Sequence, residues 1–234
     1  MTRALDQLRD VNIIPNFLEN PAGSALISFG RTKVLCTVMI EEKVPPWLMR
    51  DGEPLHGWIT ATYNMLPASG DSRIQRERKG PKGRTQEIER LIGRALRTST
   101  DLTKIGGRTL WIDCDVLQAD GGTRTAAITG AWVALRLAVN KLLRDGILNK
   151  DPMLRQVAAV SVGIIRGKVQ LDLAYKEDSE AEVDMNVVMD SEKNLIEVQA
   201  TGEEHVFSRD QHDELLDMAE KGILELMEIQ RKAL

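Results

Sequence analysis

Cysteine and histidine are scarce in this 234-residue chain, with two of the first and three of the second. Cys36 and Cys114 sit far apart inside apolar, strand-like runs, which predicts two buried structural thiols in a reducing cytosol. His56, His205 and His212 are scattered and no Cys/His spacing accompanies them, so no zinc site is expected. Long apolar runs are missing too. None approaches the ~18 residues that would suggest a membrane span, and no membrane partner is expected. The opening MTRALDQLRD carries charges throughout and has no apolar h-region, so no signal peptide is expected. Low-complexity segments, short repeats and linkers are likewise absent. What is present, 42% hydrophobic and 28% charged residues, is the composition of a soluble globular protein long enough for one domain, residues 1–234, with its own core.

The net charge of −4 does not point to nucleic acid, because domains that bind it often have a high pI. The distribution of charge says more. RIQRERKGPKGR, from Arg73 to Arg84, holds six Lys/Arg against the single Glu77. DLAYKEDSEAEVD, from Asp172 to Asp184, is dominated by Asp and Glu, with Lys176 its only cation. One concentrated basic segment and one concentrated acidic segment therefore stand out from a mildly acidic chain.

The first third reads as strands. SALISFG and KVLCTVMIEE flank a hairpin turn at Gly30-Arg31-Thr32, a further candidate lies near Val11 to Phe17, and GWITATYNML ends at Pro67. Gly80, Pro81 and Gly83 mark the basic segment as a loop. From Thr85 the period changes: Ile88, Leu91, Ile92, Ala95 and Leu96 form the core stripe of an amphipathic helix, with Arg90, Arg94 and Arg97 on another face. TLWIDCDVL alternates again, and the helix after Gly122 runs to Asp145-Gly146. VAAVSVGII, VQLDLAY, VDMNVVM and LIEVQATG repeat the strand theme, and Ser208 with Gln211 forms a capping box opening a last helix. Runs of strands with two or three helices between them predict an α+β fold.

The chemistry concentrates where a strand hands over to a helix, in DGGTRT. First-turn amides lack intrahelical partners and lie at the positive end of the helix dipole, which favours an anion. Gly121 and Gly122 permit close approach of the backbone, Thr123 and Thr125 offer hydroxyls, and Arg124 offers a planar fork suited to two phosphate oxygens. A tight turn with Thr123 as an ordinary cap fits the same local pattern. Two other segments favour the anion. Arg84 stands at another helix start, directly after the basic loop, and nine positive side chains fall between Arg73 and Arg97. Such density repels itself unless an anion such as RNA phosphate is near. A solvated positive face is the plainer account of those residues. In the acidic segment, Asp184 at a strand entry beside further carboxylates resembles a cradle for a hard divalent cation, and Mg²⁺ is typically held by one or two carboxylates plus substrate phosphates. A soluble acidic loop is the alternative.

LHGWITATYNMLP, GRTQEIERLIGRALR, DCDVLQADGGTRTAAITGAWVAL and LDLAYKEDSEAEVDMNVVM together closely resemble the ribonuclease PH family, phosphorolytic exoribonucleases related to polynucleotide phosphorylase and to the exosome core. The similarity runs over nearly the whole chain. It implies a single α+β domain with mixed sheets, a split β-α-β element and helices packed on the sheets. It also implies a cytoplasmic homo-oligomer, a hexameric ring built as a trimer of dimers. The implied activity is 3′-to-5′ trimming of RNA, chiefly precursor-tRNA ends, with inorganic phosphate as nucleophile and nucleoside diphosphates as products. Nucleotide addition is the reverse reaction. Carried onto this chain, the resemblance places phosphate at Arg84, Gly122, Thr123 and Arg124, and Mg²⁺ at Asp178 and Asp184, with Asp184 the general acid. Arg73, Arg76, Arg78, Lys79, Lys82, Arg90 and Arg94 are the expected RNA-binding side chains. Three departures accompany it: an R-P-D-G-R segment before D-Q-L-R is replaced by MTRAL, Thr62 stands in place of a glutamate, and Asn64 in place of a small residue. They touch the N-terminal contacts and the RNA path, not the phosphate or metal positions. A catalytically silent RNA-binding ring subunit and a hydrolytic Mg²⁺ nuclease are the rival functions.

Overall fold

The alternation between Gly23 and Glu41 folds as a hairpin in the computed structural model, which describes residues 3–202 and 206–234. His205 lies outside the described residues. In chain order the elements begin with β1 (Val11–Pro15), β2 (Gly23–Phe29) and β3 (Thr32–Glu41), then a small hairpin of β4 (Met49–Arg50) and β5 (Glu53–Pro54). β6 (Trp58–Met65), α1 (Gly83–Thr98), β7 (Thr109–Gln118) and α2 (Thr123–Arg144) follow. The second half holds β8 (Val157–Ile165), β9 (Lys168–Leu171), α3 (Tyr175–Ser179), β10 (Val183–Asp190), β11 (Leu195–Gly202) and α4 (Arg209–Ala233).

Two sheets result. One has the order β1-β2-β3-β7-β6, antiparallel except where β6 runs parallel to β7; the other is antiparallel with the order β11-β10-β8-β9. The architecture is the expected α+β. Its β-α-β element is β6-α1-β7, with the stripe Ile88, Leu91, Ile92, Ala95 and Leu96 of α1 buried and α1 packed on β6. α2 lies between the sheets, packing on β2, β3 and β7 of the first and β8 of the second. Buried over most of its length, it is apolar nearly all round until its last turns, where Asn140, Lys141 and Arg144 are exposed. It comes closer to a membrane-length segment than the sequence expectation allows, since length and composition alone would let it cross a bilayer, but 72% of its most apolar stretch is buried inside the fold.

Cys36 and Cys114 are directly opposite on β3 and β7, fully buried and unbridged, as expected of structural thiols. The adjacent Cys36 thiol and burial push the Cys114 thiol well above its ordinary range, and both thiols donate to Ala127 O, at 3.6 and 3.9 Å. At the far end, Ser208 and Gln211 form the reciprocal cap of α4 at 3.1 and 2.8 Å. The buried residues of that helix include Leu215, Ala219, Ile223, Leu226 and Met227.

Two segments differ from their sequence expectation. VQLDLAY is not one strand: β9 stops at Leu171, Asp172 turns the chain with φ +55°, and Tyr175 opens α3 inside the acidic segment expected as a loop. Arg97 does not belong to a solvated face. Its guanidinium donates to Ile59 O at 2.9 Å and lies 4.6 Å above the Trp58 ring, and burial lowers its pKa.

Candidate active site

The end of β7 and the start of α2 meet at two consecutive left-handed glycines, Gly121 (φ +73°) and Gly122 (φ +65°). Each is required where it stands. A Cβ on Gly121 would lie 2.6 Å from Leu173 O and 2.7 Å from Tyr175 N, so the turn is seated backbone-to-backbone against the start of α3. Thr32 locks the approach, donating through Oγ1 to Gly121 O at 2.6 Å and accepting from Asp120 N at 2.9 Å. The cap of α2 is Gly122, not Thr123, and a glycine has no side chain with which to satisfy the first-turn amides. That removes the account of the turn as an ordinary threonine cap and leaves amides for an anion.

The two threonines part company. Thr125 is almost wholly buried and returns its hydroxyl to Gly122 O at 2.9 Å, so it is not the ligand donor that its position suggests. Thr123 lines the cleft and accepts a hydrogen bond from the buried Tyr63 hydroxyl at 2.8 Å, which leaves its own hydrogen to donate. Burial pushes the Tyr63 phenol upward, opposed by the Thr123 contact and by the positive charges of Arg84 and Arg124. Tyr63 was not anticipated from the sequence, although its neighbour Thr62 was.

Arg124 projects from the first turn of α2 with Nη1 3.1 Å from Glu87 Oε1 and 2.7 Å from Gln199 Oε1, while Gln199 Nε2 donates to the same Glu87 oxygen at 2.9 Å. Glu87 and Gln199 thus hold the guanidinium in place from α1 and β11. Arg84 is exposed at the start of α1. Asp184 stands on β10 between Gly163 of β8 and Thr201 of β11, on the same side as Asn186, while Val183, Met185 and Val187 are buried. Asp178 sits on α3. All six of the expected phosphate and metal positions, Arg84, Gly122, Thr123, Arg124, Asp178 and Asp184, line a single cleft of about 1450 Å³.

The expected RNA-binding residues are spread more widely. Arg73, Arg76, Arg78, Lys79 and Lys82 all lie on the loop before α1, and none lines the cleft, whereas Ser72 and Ile74 of the same loop do. Glu77, the one acid among the residues from Arg73 to Lys82, anchors the loop's end by accepting from Lys82 N at 2.7 Å and Thr85 Oγ1 at 3.1 Å. Arg90 and Arg94 also lie outside the cleft lining, and Arg94 pairs with Glu197 of β11. At the departures, Thr62 donates to Asp113 Oδ1 at 2.7 Å across the parallel β6/β7 pair. Asp115, next on that face, is held above the usual carboxylate range by burial and by Asp113, with Arg76 opposing.

The sequence matches the family model described as 3′ exoribonuclease family, domain 1, over residues 7–139, and domain 2 over residues 155–222. The chain belongs to the ribonuclease PH family. Ribonuclease PH of Syntrophomonas wolfei is 56% identical over 99% of this chain and 97% of its own length. Ribonuclease PH of Neisseria meningitidis serogroup C is 53% identical over 100% and 96%. Among solved structures, rice (Oryza sativa) Rrp46 superposes with a TM-score of 0.79 at 20% identity, covering 98% of this chain and 96% of its own, which is a likeness of fold alone. The Archaeoglobus fulgidus exosome with RNA bound to the active site gives 0.78 at 25% identity, covering 97% and 90%. As a ribonuclease PH family member the chain is a phosphate-dependent 3′ exoribonuclease and nucleotidyltransferase that acts on RNA.

Proposed function

We propose that orthophosphate docks in this cleft against the amides of Gly122 and Thr123, the Thr123 hydroxyl and the guanidiniums of Arg124 and Arg84, and that Asp184 is the general acid. The observation that supports this most is the convergence of two cationic helix starts with Asp178 and Asp184, two of the acidic residues that line the same cavity. Phosphorolysis brings an anionic nucleophile to an anionic diester, so fixed donors are needed where charge gathers. A phosphate oxygen attacks the terminal phosphorus, the bond from phosphorus to the departing 3′ oxygen breaks, and Asp184 supplies that oxygen with its proton. The products are a nucleoside diphosphate and an RNA one residue shorter.

The donor set suits Mg²⁺, a hard ion: Asp178 and Asp184 offer carboxylate oxygens, and Mg²⁺ in such sites commonly takes one or two carboxylates with substrate phosphates and water. When bound, the ion would supply Lewis-acid charge to the transferring phosphoryl group. Precursor tRNA is the substrate that the family resemblance suggests. A hexameric homo-oligomer is supported by exposed apolar side chains, among them Met39 and Trp111, cross-strand partners on the first sheet. A reducing cytoplasm suits the two free thiols.

The test of function is product identity. RNA incubated with Mg²⁺ should yield nucleoside diphosphates only when inorganic phosphate is added. Monophosphates would favour the hydrolytic nuclease, and no product the silent RNA-binding subunit.

The basic loop governs RNA affinity. Replacing Arg73, Arg76, Arg78, Lys79 and Lys82 together with Gln should weaken RNA binding and flatten its salt dependence, by about 0.7 in log–log slope for each single-strand phosphate that is no longer neutralised. Turnover at saturating RNA should change little, since none of the five lines the cleft. Affinity that is unchanged at every salt concentration would remove this role.

A further inference from the structure

The phosphate loop and the acidic turn are far apart in sequence, meet backbone to backbone at Gly121, and are tied together by a buried guanidinium. Arg9, just before β1, donates from Nε to Asp172 Oδ2 at 3.0 Å and from Nη2 to Asp172 Oδ1 at 2.7 Å, and its own backbone N–H reaches Oδ2 at 2.9 Å. The same side chain donates from Nη1 to Asp120 O at 2.6 Å and from Nη2 to Gly121 O at 3.5 Å. One end of this fork therefore reads the backbone that presents Gly122–Arg124. The other reads the residue at which the chain turns into α3, which carries Asp178. The Asp172 side chain is 0% exposed and that of Arg9 8%. Arg3 reinforces the joint, donating to Asp172 O at 2.9 Å and to Glu177 Oε2 of α3 at 2.8 Å. A Cβ on Gly122 would lie 2.9 Å from Arg9 Nη2, so the guanidinium packs directly against the turn.

Neither Arg9 nor Asp172 lines the cleft, so neither touches substrate. Buried ion pairs add little net stability over apolar groups of the same volume, and what they do fix is geometry. The geometry points to Arg9 and Asp172 as positioning residues, a clamp that sets the gap between phosphate bound at Gly122–Arg124 and the carboxylate of Asp178 on α3. This rests on the phosphate site proposed above. A planar fork is required, because the ammonium of a lysine cannot reach the carboxylate and both carbonyls with the same directions.

The experiment separates a clamp from a charge acting through space. By charge alone, Arg9→Met should weaken phosphate binding and Asp172→Asn should tighten it. A clamp predicts that Arg9→Met, Arg9→Lys and Asp172→Asn all raise both the calorimetric Kd for orthophosphate, measured without RNA, and the KM for phosphate. The expected rise is roughly ten- to a hundredfold, the scale of displacements near 1 Å, with the KM for RNA little changed. A merely structural role would lower kcat per total protein through loss of folded enzyme and leave the phosphate KM alone. Arg9→Lys keeps the buried charge paired, so it decides the matter if Asp172→Asn does not fold. Wild-type phosphate affinity in Arg9→Lys, or tighter binding in Asp172→Asn, overturns the clamp. Arg124→Ala is run alongside: normal phosphate affinity there would bring down the phosphate site itself, whereas a weakened Arg124→Ala beside an unaffected Arg9→Lys brings down only the clamp.

Discussion

Arg124→Ala is expected to lower kcat/KM for orthophosphate by about 10²–10³, or ~2.7–4 kcal/mol of lost transition-state stabilisation, the usual effect of deleting one fixed donor to developing negative charge. The fold should survive, because the Arg124 side chain rims the cleft and the residues that α2 contributes to the core are others. Part of the loss has a second origin. Arg124 sits against Glu87, with Gln199 bridging the two, so its removal leaves a carboxylate facing the incoming phosphate. Arg124→Ala combined with Glu87→Gln should therefore recover some of the activity, and the unrecovered remainder measures the missing guanidinium. Initial rates against phosphate at saturating RNA, with thermal melts to confirm folding, distinguish the two components. Normal phosphate dependence in Arg124→Ala would count directly against the site.

The elements carrying this chemistry were legible because their periodicities are strong. Leu110, Ile112, Cys114 and Val116 alternate and are all fully buried, and the stripe from Ile88 to Leu96 repeats at helical spacing. The turn from β7 into α2 was legible because two glycines before a threonine have few structural uses. Other features left no local signal. Whether Gly122 or Thr123 caps α2 depends on the left-handed turn at Gly121 and Gly122, which packs against Leu173 and Tyr175 at the first glycine and Arg9 and Asp172 at the second, all remote in sequence. The five-residue α3 is too short for a hydrophobic period, and its acidic composition reads as loop. Arg97 reads as one more surface charge, and only the fold places Trp58 and Ile59 beneath it. Arg9 and Asp172 were invisible for the same reason: each belongs to an unremarkable charged stretch, and only the tertiary fold brings them together.

Asp184→Asn is expected to be the most damaging change at the carboxylate side of the cleft, with turnover falling by about 10²–10⁴, the range for a lost proton donor. Asparagine keeps the shape of the side chain, and the position is held from both sides by ladder pairing with Gly163 and Thr201, so the strand should be undisturbed. Orthophosphate binding measured without RNA should persist or tighten, because the substitution removes a negative charge from the cavity that holds the anion. That separation, kcat lost and phosphate Kd kept, is the reverse of the Arg124→Ala pattern. Asp178→Asn removes a comparable charge but lies on the short exposed α3. It should cost less in turnover and show chiefly as a higher Mg²⁺ requirement. Retained turnover in Asp184→Asn would leave a cleft that binds phosphate with no group there to protonate the departing 3′ oxygen, and the acid role would pass to Asp178.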